Sequence, residues 1–179
     1  MNLTYETDRL MLRILNENYS MQVLTFLSRN KEYFDSYELA KSENFYTEEF
    51  QKNLLCEEFN QTLKGNRIRF YFLLKNMPQR IIGTVSFSNM RHSFHSCQIG
   101  YKLDPAFQHQ GYAMEALCAA IDIASAECRL HRIEAYVLPD NQPSIRLLMR
   151  LGFELEGTAR DYAIINGQWK DHLQYSLLI

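Results

Sequence analysis

Alternating apolar and polar residues run through several short stretches of this chain and predict a β-sheet. Residues 67–75 are typical, with Ile68, Phe70, Phe72 and Leu74 spaced two apart. A period of two places such residues on one face of a strand. We predict strands over residues 10–15, 67–75, 81–87, 97–103, 132–138, 153–156 and 169–179.

Other stretches have the three-to-four-residue spacing of amphipathic helices. One predicted helix carries an apolar stripe over residues 21–27, and another begins after Thr47, a preferred N-cap, and runs to about Leu63. A long helix begins near Gly111 and has a face of small alanines, and a short helix over residues 145–151 ends at Gly152. Residues 31–45 are predicted to be irregular.

The order of these elements predicts a mixed α/β (α+β) fold. Three successive strands between residues 67 and 103 form a predicted antiparallel meander, and later strands alternate with helices. With 179 residues and no linker or repeat, the chain is expected to form a single domain over residues 1–179.

Composition narrows the class of protein. The hydrophobic share is 46% and the charged share is 22%, as in ordinary globular proteins, and the net charge is −2. This charge gives no reason to expect direct nucleic acid binding. No apolar run approaches the length of a membrane span, and the four cysteines have no paired spacing. We therefore expect a cytoplasmic protein without a membrane segment or a metal site.

The most informative stretch is Leu103–Leu117. Here a predicted strand is followed by Asp104-Pro105, then by Gln108-His109-Gln110-Gly111-Tyr112-Ala113 at the start of the long helix. The first N–H groups of a helix lack internal partners and lie at the positive end of the helix dipole. A glycine at this point lets an anion approach the backbone closely, so the stretch predicts a phosphate site.

The spacing Gln108-x-x-Gly111-x-Ala113 resembles the pyrophosphate-binding motif of the GNAT N-acetyltransferases. The resemblance covers nearly the whole chain, and the branch it most resembles is that of the RimJ/RimL-type ribosomal-protein-alanine N-acetyltransferases, the RimJ type in particular. The other matching segments are Thr7-Asp8-Arg9-Leu10, Leu12-Arg13, Ile82-Gly83, Phe87–Asn89, Ser93–Cys97, Ile99-Gly100-Tyr101, Glu115-Ala116, Asn141-x-x-Ser144, Leu151-Gly152-Phe153, Glu156-Gly157, Asp161-Tyr162 and Asn166-Gly167-Gln168-Trp169-x-Asp171.

The resemblance implies the GNAT acyl-CoA N-acyltransferase fold, with a mixed, mostly antiparallel sheet flanked by about four helices. Two parallel strands, 97–103 and 132–138, would splay apart at the cofactor site. The implied activity is acetyl transfer from acetyl-CoA to a primary amine through a tetrahedral intermediate. The implied cofactor-binding residues are Leu103, Gln108, His109, Gln110, Gly111, Tyr112, Ala113, Asn141 and Ser144.

The resemblance assigns fewer catalytic residues than cofactor-binding residues. Ser144 would act as the acid for the departing CoA thiolate, and Asn141 would bond the pantetheine while also capping its own helix. Positions at which relatives carry an acidic base hold Gln98 and Ala163 here. His95 is a weak candidate base, because histidine titrates near neutral pH. Glu38 and Asp161 are alternatives of equal standing, and the general base stays open.

The acceptor also stays open at this point. The resemblance implies a protein N-terminus, most directly that of a ribosomal protein, and either a monomer or a homodimer. Alternatives are a small amine, such as a polyamine, amino acid or antibiotic, and a CoA-binding module that has lost catalysis. Aromatic residues in the irregular segment would either line the acceptor groove or, as we favour, pack in the core (Tyr33, Phe34, Tyr37, Phe45 and Tyr46).

Overall fold

Eight strands form one sheet, and five α-helices pack on its faces. The computed structural model describes residues 1–179. The strands are β1 Thr4–Glu6, β2 Leu10–Arg13, β3 Ile68–Leu74, β4 Met77–Arg91, β5 Ser96–Leu103, β6 Arg132–Val137, β7 Glu154–Ile165 and β8 Gln168–Leu178. The helices are α1 Ser20–Arg29, α2 Lys31–Asp35, α3 Glu48–Leu63, α4 Tyr112–Cys128 and α5 Gln142–Arg150. None of these helices has the length and apolar character needed to cross a membrane.

The strands lie in the order β1-β2-β3-β4-β5-β6-β8-β7 across the sheet. Neighbouring strands are antiparallel throughout, with one exception: β5 and β6 run parallel. The three strands β3, β4 and β5 form the meander expected from the sequence. The predicted mixed, mostly antiparallel sheet is therefore confirmed.

Helices α4 and α5 cover one face of the sheet. The small face of α4 lies flat on the strands, since Ala116, Ala120 and Ala124 are completely buried there. From α5, Ile145 and Leu148 join the same core. The α4 contact is close because alanine side chains keep the helix axis near the sheet.

Helices α1 and α3 cover the opposite face, but only over the first half of the sheet. Phe26 of α1 and Leu55 of α3 pack there against Tyr71 and Leu73 of β3. Strand β3 is thus buried on both faces, which explains its nearly continuous apolar run. On this side, β5, β6 and β8 carry polar or small residues, namely Gln98, Gly100, Lys102, Glu134, Tyr136, His172, Gln174 and Ser176.

The structure differs from the sequence prediction at several elements. Strand β1 was not predicted, and the segment expected to be irregular contains the short helix α2. The turn expected over residues 76–79 is tighter, because Leu74 pairs with Met77. A register shift follows that pair, and it accommodates Pro78, which has no N–H to donate to the sheet. Strand β7 extends to Ile165, beyond the predicted end at 156, and most of its added length is exposed.

Gly83 of β4 offers a test of packing in the centre of the sheet. A Cβ added there would overlap the ring of Phe72 and lie 2.5 Å from the carbonyl oxygen of Lys102. The backbone oxygen cannot move without disturbing β5. We expect Gly83→Ala to lower the free energy of unfolding by about 1–3 kcal/mol, the usual range for overpacking, in urea titrations.

Gly157→Ala is the matched control for this change. It lies in β7, and an added Cβ would have nothing within 4 Å. Equal stability of the two variants would contradict the close packing of β4 against Phe72 and β5.

Candidate active site

The parallel strands β5 and β6 pair over only three positions and then diverge. The pairing runs from Ser96 opposite Arg132 to Gln98 opposite Glu134. Beyond it, β5 stays paired with β4 as far as Leu103, and β6 stays paired with β8. Backbone groups of β5 that face the gap therefore have no strand partner and can bond an extended ligand that carries amides. The expected splay of these strands is present.

The chain leaving β5 is held by Asp104, which is buried at the strand end. Its backbone N–H donates to the carbonyl of Ile82 at 2.8 Å. Its carboxylate accepts the N–H of Ala106 at 3.0 Å and pairs with Arg29 at 2.9 Å. These contacts fix the direction in which the loop runs towards α4.

Helix α4 begins at Gly111, and its first N–H groups are free. Gly111 has a left-handed backbone (φ +79°), which glycine adopts without strain, and no side chain caps the helix. The amides of the first turn can therefore donate to an anion. The guanidinium of Arg9 lies beside the loop, since its Nη2 is 3.3 Å from where a Cβ of Gly111 would be.

Glu115 connects this helix to the start of the sheet. Its carboxylate accepts hydrogen bonds from the Thr7 hydroxyl at 2.5 Å and from the Arg9 backbone N–H at 2.8 Å, and it pairs with the Arg9 Nε at 2.6 Å. Arg9 also donates to the carbonyl of Gln110 at 2.9 Å and lies over the ring of Tyr112. Partial burial opposes ionisation of Glu115, but the hydrogen bonds from Thr7 and Arg9 outweigh it and lower its pKa. Thr7, Arg9 and Glu115 were part of the sequence resemblance, without an assigned role.

A cavity of about 350 Å³ extends from the gap along the loop to the start of α4. Eight of the nine residues predicted to bind the cofactor line it: Leu103, Gln108, His109, Gly111, Tyr112, Ala113, Asn141 and Ser144. Gln110 does not, because its side chain turns back to donate to the carbonyl of Ala106.

Sequence reasoning missed two cations at this cavity, Arg146 and Arg150 of α5. They lie four residues apart and so share one side of the helix. This spacing after the Asn141-x-x-Ser144 segment is the signal that could have found them. Free helix N–H groups, a glycine without a Cβ, two arginines and an unpaired strand edge fit the phosphates and amide chain of acetyl-CoA.

Asn141 and Ser144 lie at the start of α5, where the gap is widest. The Asn141 side chain caps the helix by accepting the N–H of Ser144 at 3.2 Å, which leaves its NH₂ group free. The Ser144 hydroxyl lies 2.7 Å from the hydroxyl of Tyr101 on β5. Burial raises the pKa of Tyr101 to about 12, although its bond to Ser144 acts the other way. Tyr101 therefore stays protonated at neutral pH and can donate.

A second cavity, of about 290 Å³, lies at the same gap. It is lined by Gly100, Tyr136 and His172 from the sheet face opposite α4 and by residues of the α4 side, among them Ile99, Ala135 and Val137. Six residues line both cavities: Tyr37, Glu38, Tyr101, Lys102, Asn141 and Ser144. The two cavities therefore meet at the gap, and a thioester in one can reach an amine in the other.

Two charged side chains at this junction neutralise each other. The carboxylate of Glu38 pairs with Lys102 at 2.6 Å and with Lys41 at 2.5 Å. Burial lowers the pKa of Lys102, while the charge of Glu38 opposes that change. Glu38, one of the acidic candidates from the sequence, thus reaches the site but is already engaged by two cations.

His172 of β8 lines the second cavity and is 7% exposed. Its Nδ1 lies 3.2 Å from the carbonyl oxygen of Lys170, and its ring packs against Tyr162 with a centroid distance of 4.9 Å. Sequence reasoning missed this residue. Its signal was the alternation at the end of β8, where polar His172, Gln174 and Ser176 alternate with apolar Leu173, Tyr175 and Leu177.

His95 and Asp161, the other candidate bases from the sequence, line neither cavity, and Gln98 and Ala163 carry no base. His95 directly precedes Ser96, the first residue of the β5–β6 pairing, and so lies at the end of β5 away from the gap. Its Nδ1 is 3.0 Å from the carbonyl oxygen of Arg129. Gln98 accepts a hydrogen bond from Asn89, and Ala163 pairs with Lys170 in the outer hairpin. Asp161 lies at the irregular part of β7, where its backbone N–H donates to Asp171. No group of three or more metal-ligating side chains is present.

The aromatic residues of segment 31–46 divide between the two roles considered. Tyr33 and Tyr37 line the first cavity, and the Tyr33 hydroxyl accepts a hydrogen bond from Gln108 at 2.8 Å. Phe34 is buried in the core beneath α1 and also borders the cavity, whereas Phe45 and Tyr46 pack around that core. The sequence favoured core packing for all five aromatic residues, and the structure shows it for only some of them.

Comparison with known proteins agrees with this geometry. A family model described as the acetyltransferase (GNAT) domain matches residues 9–154. The chain belongs to the GNAT acetyltransferase family. It is 37% identical over 175 residues to the [ribosomal protein uS5]-alanine N-acetyltransferase of Escherichia coli strain K12, covering 96% of this chain and 88% of the relative.

Solved structures of this family have the same fold. The ribosomal-protein-S5-alanine acetyltransferase of Vibrio fischeri aligns with a TM-score of 0.93 and 32% identity, covering 99% of this chain and 97% of the other. Mycobacterium smegmatis RimJ, in complex with CoA-disulfide, aligns with a TM-score of 0.87 and 22% identity, covering 94% of this chain and 81% of the other. The expected GNAT fold is therefore confirmed, and this chain is a GNAT acetyltransferase.

Gly111→Glu tests the first cavity as the cofactor site. It places a carboxylate beside the free N–H groups of α4, where phosphates would bind, so we expect no measurable acetyl-CoA binding by calorimetry. The left-handed backbone adds a strain of about 1–2 kcal/mol, which leaves the protein folded.

Gly167→Glu is the matched control. Gly167 has a similar backbone (φ +76°) but lies in the exposed β7–β8 turn, with nothing within 4 Å of an added Cβ. Acetyl-CoA affinity should be unchanged in this variant. Normal binding by Gly111→Glu would place the cofactor elsewhere.

Proposed function

We propose that this enzyme transfers the acetyl group of acetyl-CoA to the N-terminal α-amine of a protein, with an N-terminal alanine of a ribosomal protein as the leading candidate. The observation that carries the proposal is the 37% identity to the uS5-alanine enzyme across 96% of this chain. A ribosomal acceptor implies a cytoplasmic location. One sheet runs through the chain, which supports a single catalytic domain over residues 1–179.

The cofactor would bind along the first cavity. The free N–H groups at the start of α4 would bond the pyrophosphate, and the unpaired edge of β5 and the Asn141 amide would bond the pantetheine. Arg146 and Arg150 would add positive charge for phosphate groups. Bound in this way, acetyl-CoA supplies an activated thioester at the gap, next to Tyr101 and Ser144.

The chemistry requires a neutral amine and a proton donor for the leaving group. The amine nitrogen attacks the thioester carbonyl, forming a tetrahedral intermediate; the C–S bond then breaks and the thiolate takes a proton. A thiol has a pKa of about 8.5, so a hydroxyl donor gives sufficient help. Tyr101 and Ser144 form a bonded pair of hydroxyls at the junction of the cavities, and we assign the donor role to this pair.

The acceptor would enter through the second cavity. An α-amine has a pKa of about 7.7–8.0, against about 10.4 for a lysine side chain, so a larger share of it is neutral near pH 7.5. The polar lining of this cavity can accept a peptide backbone as well as a small amine. The acceptor class therefore has to be decided by experiment.

The assay compares two versions of one peptide that begins with alanine and contains one lysine. The first has a free α-amine, and the second has that amine acetylated. We expect acetylation of the first peptide only, on its N-terminus, detected by mass spectrometry together with release of CoA thiol. Turnover of a polyamine or free amino acid, with neither peptide modified, would overturn the protein acceptor. Acetyl-CoA binding without turnover of any amine would overturn the enzyme function.

The hydroxyl pair can be tested with Ser144→Ala, Tyr101→Phe and the double variant. We expect each single change to lower kcat by about 10- to 100-fold, at or below the lower end of the range for acid–base catalysis, because a thiol leaving group needs little help. If the two hydroxyls act as one unit, the double variant should be little worse than the worse single variant. Additive losses would assign them separate roles, and unchanged kcat would remove them from the chemistry.

A further inference from the structure

The acceptor cavity contains one side chain suited to take a proton from the attacking amine. Its titratable lining residues are Tyr37, Glu38, Arg69, Tyr101, Lys102, Tyr136 and His172. Arginine stays charged and tyrosines hold their protons near neutral pH. Glu38 and Lys102 are bound to each other. By elimination, only the imidazole of His172 combines a free lone pair with a position in the cavity.

The tautomer of His172 is fixed by its neighbour in the same strand. The carbonyl oxygen of Lys170 can only accept a hydrogen bond, so the nitrogen 3.2 Å away, Nδ1, carries the proton in the neutral ring. The other nitrogen, Nε2, then holds the lone pair. The contact of Nδ1 is the one hydrogen bond that this side chain makes within the protein, so Nε2 has no protein partner. This is the arrangement that a general base requires.

One aromatic ring packs directly against the imidazole. Tyr162 contacts His172, with ring centroids 4.9 Å apart, and is itself stacked on Tyr136 of β6, with centroids 4.4 Å apart and planes within 6°. Tyr162 lies where the register of β7 against β8 shifts between Ala159 and Ala163. The outer hairpin thus supplies a ring that supports the imidazole beside the acceptor cavity. A fixed ring loses less freedom when it engages the substrate.

We infer that His172 is the general base of this enzyme, accepting a proton from the acceptor amine at Nε2. The inference rests on the proposed acetyl transfer and concerns proton removal from the amine, a step separate from the donor role of Tyr101 and Ser144. As the amine nitrogen bonds to the thioester carbon, its surplus proton passes to Nε2 directly or through one water. The C–S bond breaks, and the thiolate takes a proton from the hydroxyl pair. His172 then returns its proton to solvent and the hydroxyl pair regains one from solvent, so atoms and charge balance without any further reactant.

The test is His172→Asn, in which the Asn amide can keep the hydrogen bond to Lys170 but cannot accept the proton. We expect kcat near pH 7 to fall about 100-fold, the lower part of the range for acid–base catalysis, with the KM for acetyl-CoA unchanged. The deficit should shrink towards pH 9.5, because hydroxide can then take the surplus proton in place of the imidazole. Tyr162 faces this ring, and Tyr136, Glu38, Arg69 and Lys102 lie on the cavity lining. Because these groups can also titrate, the pH profile of kcat for the variant is compared with that of the wild type.

His95→Asn is the matched control. Its ring makes the same kind of Nδ1 contact to a carbonyl, outside the gap, and asparagine tolerates its left-handed backbone (φ +50°). We expect wild-type kcat for this variant at every pH.

The possible results distinguish a failure of the proposed base from a failure of the proposed acceptor. Each variant is compared with the wild type on whichever amine the wild type acetylates, so a different acceptor would overturn the proposed substrate but not His172. A loss in His172→Asn that is equal at all pH values would indicate a structural role and overturn the inference, as would no loss. If the wild type acetylated no amine, both proposals would fall.

Discussion

The site depends on one feature of the sheet, the brief parallel contact between β5 and β6. Each strand keeps its partner on the other side, β5 with β4 and β6 with β8, while the pairing between β5 and β6 stops after Gln98 and Glu134. From that point a gap separates the two halves of the sheet. It gives an unpaired strand edge on β5 and lets cavities on the two sides of the sheet meet. Without this divergence, cofactor and acceptor would be separated by a closed sheet.

A second constraint holds the phosphate end of the site. A free helix N-terminus is common, and it becomes a defined site only when the helix is held at a fixed distance from the strand edge. Glu115 provides this by binding Thr7 and Arg9, while Asp104 ties the end of β5 to Arg29. These contacts join the first strands of the sheet to α4. The cofactor cavity is therefore positioned by residues more than 100 positions away in the chain.

Neighbours along the chain form much of the first cavity, which we propose binds the cofactor, although Arg146 and Arg150 were not predicted. A glycine at a helix start, an asparagine cap and a strand before them are neighbours along the chain, and eight of nine predicted residues line one cavity. The acceptor half of the site depends on how strands distant in sequence pair. His172 reaches the gap because β8 lies beside β6. Tyr162 packs against His172 at a register shift in β7, and the sequence does not reveal that shift because the hairpin is exposed and has little apolar alternation. The same limit explains why His95, close to the motif in sequence, lies outside the gap.

Proton removal by His172 and proton delivery by the hydroxyl pair would use separate groups at the junction of the two cavities. The attacking amine must also be neutral before it reacts. At a given pH, neutralising an α-amine rather than a lysine side chain differs by roughly 2.5 pKa units, or about 3 kcal/mol. A base that takes the surplus proton only as the N–C bond forms leaves that difference in place. Selectivity for a protein N-terminus can therefore arise from the pKa of the acceptor amine, before any contact with the acceptor's side chains contributes.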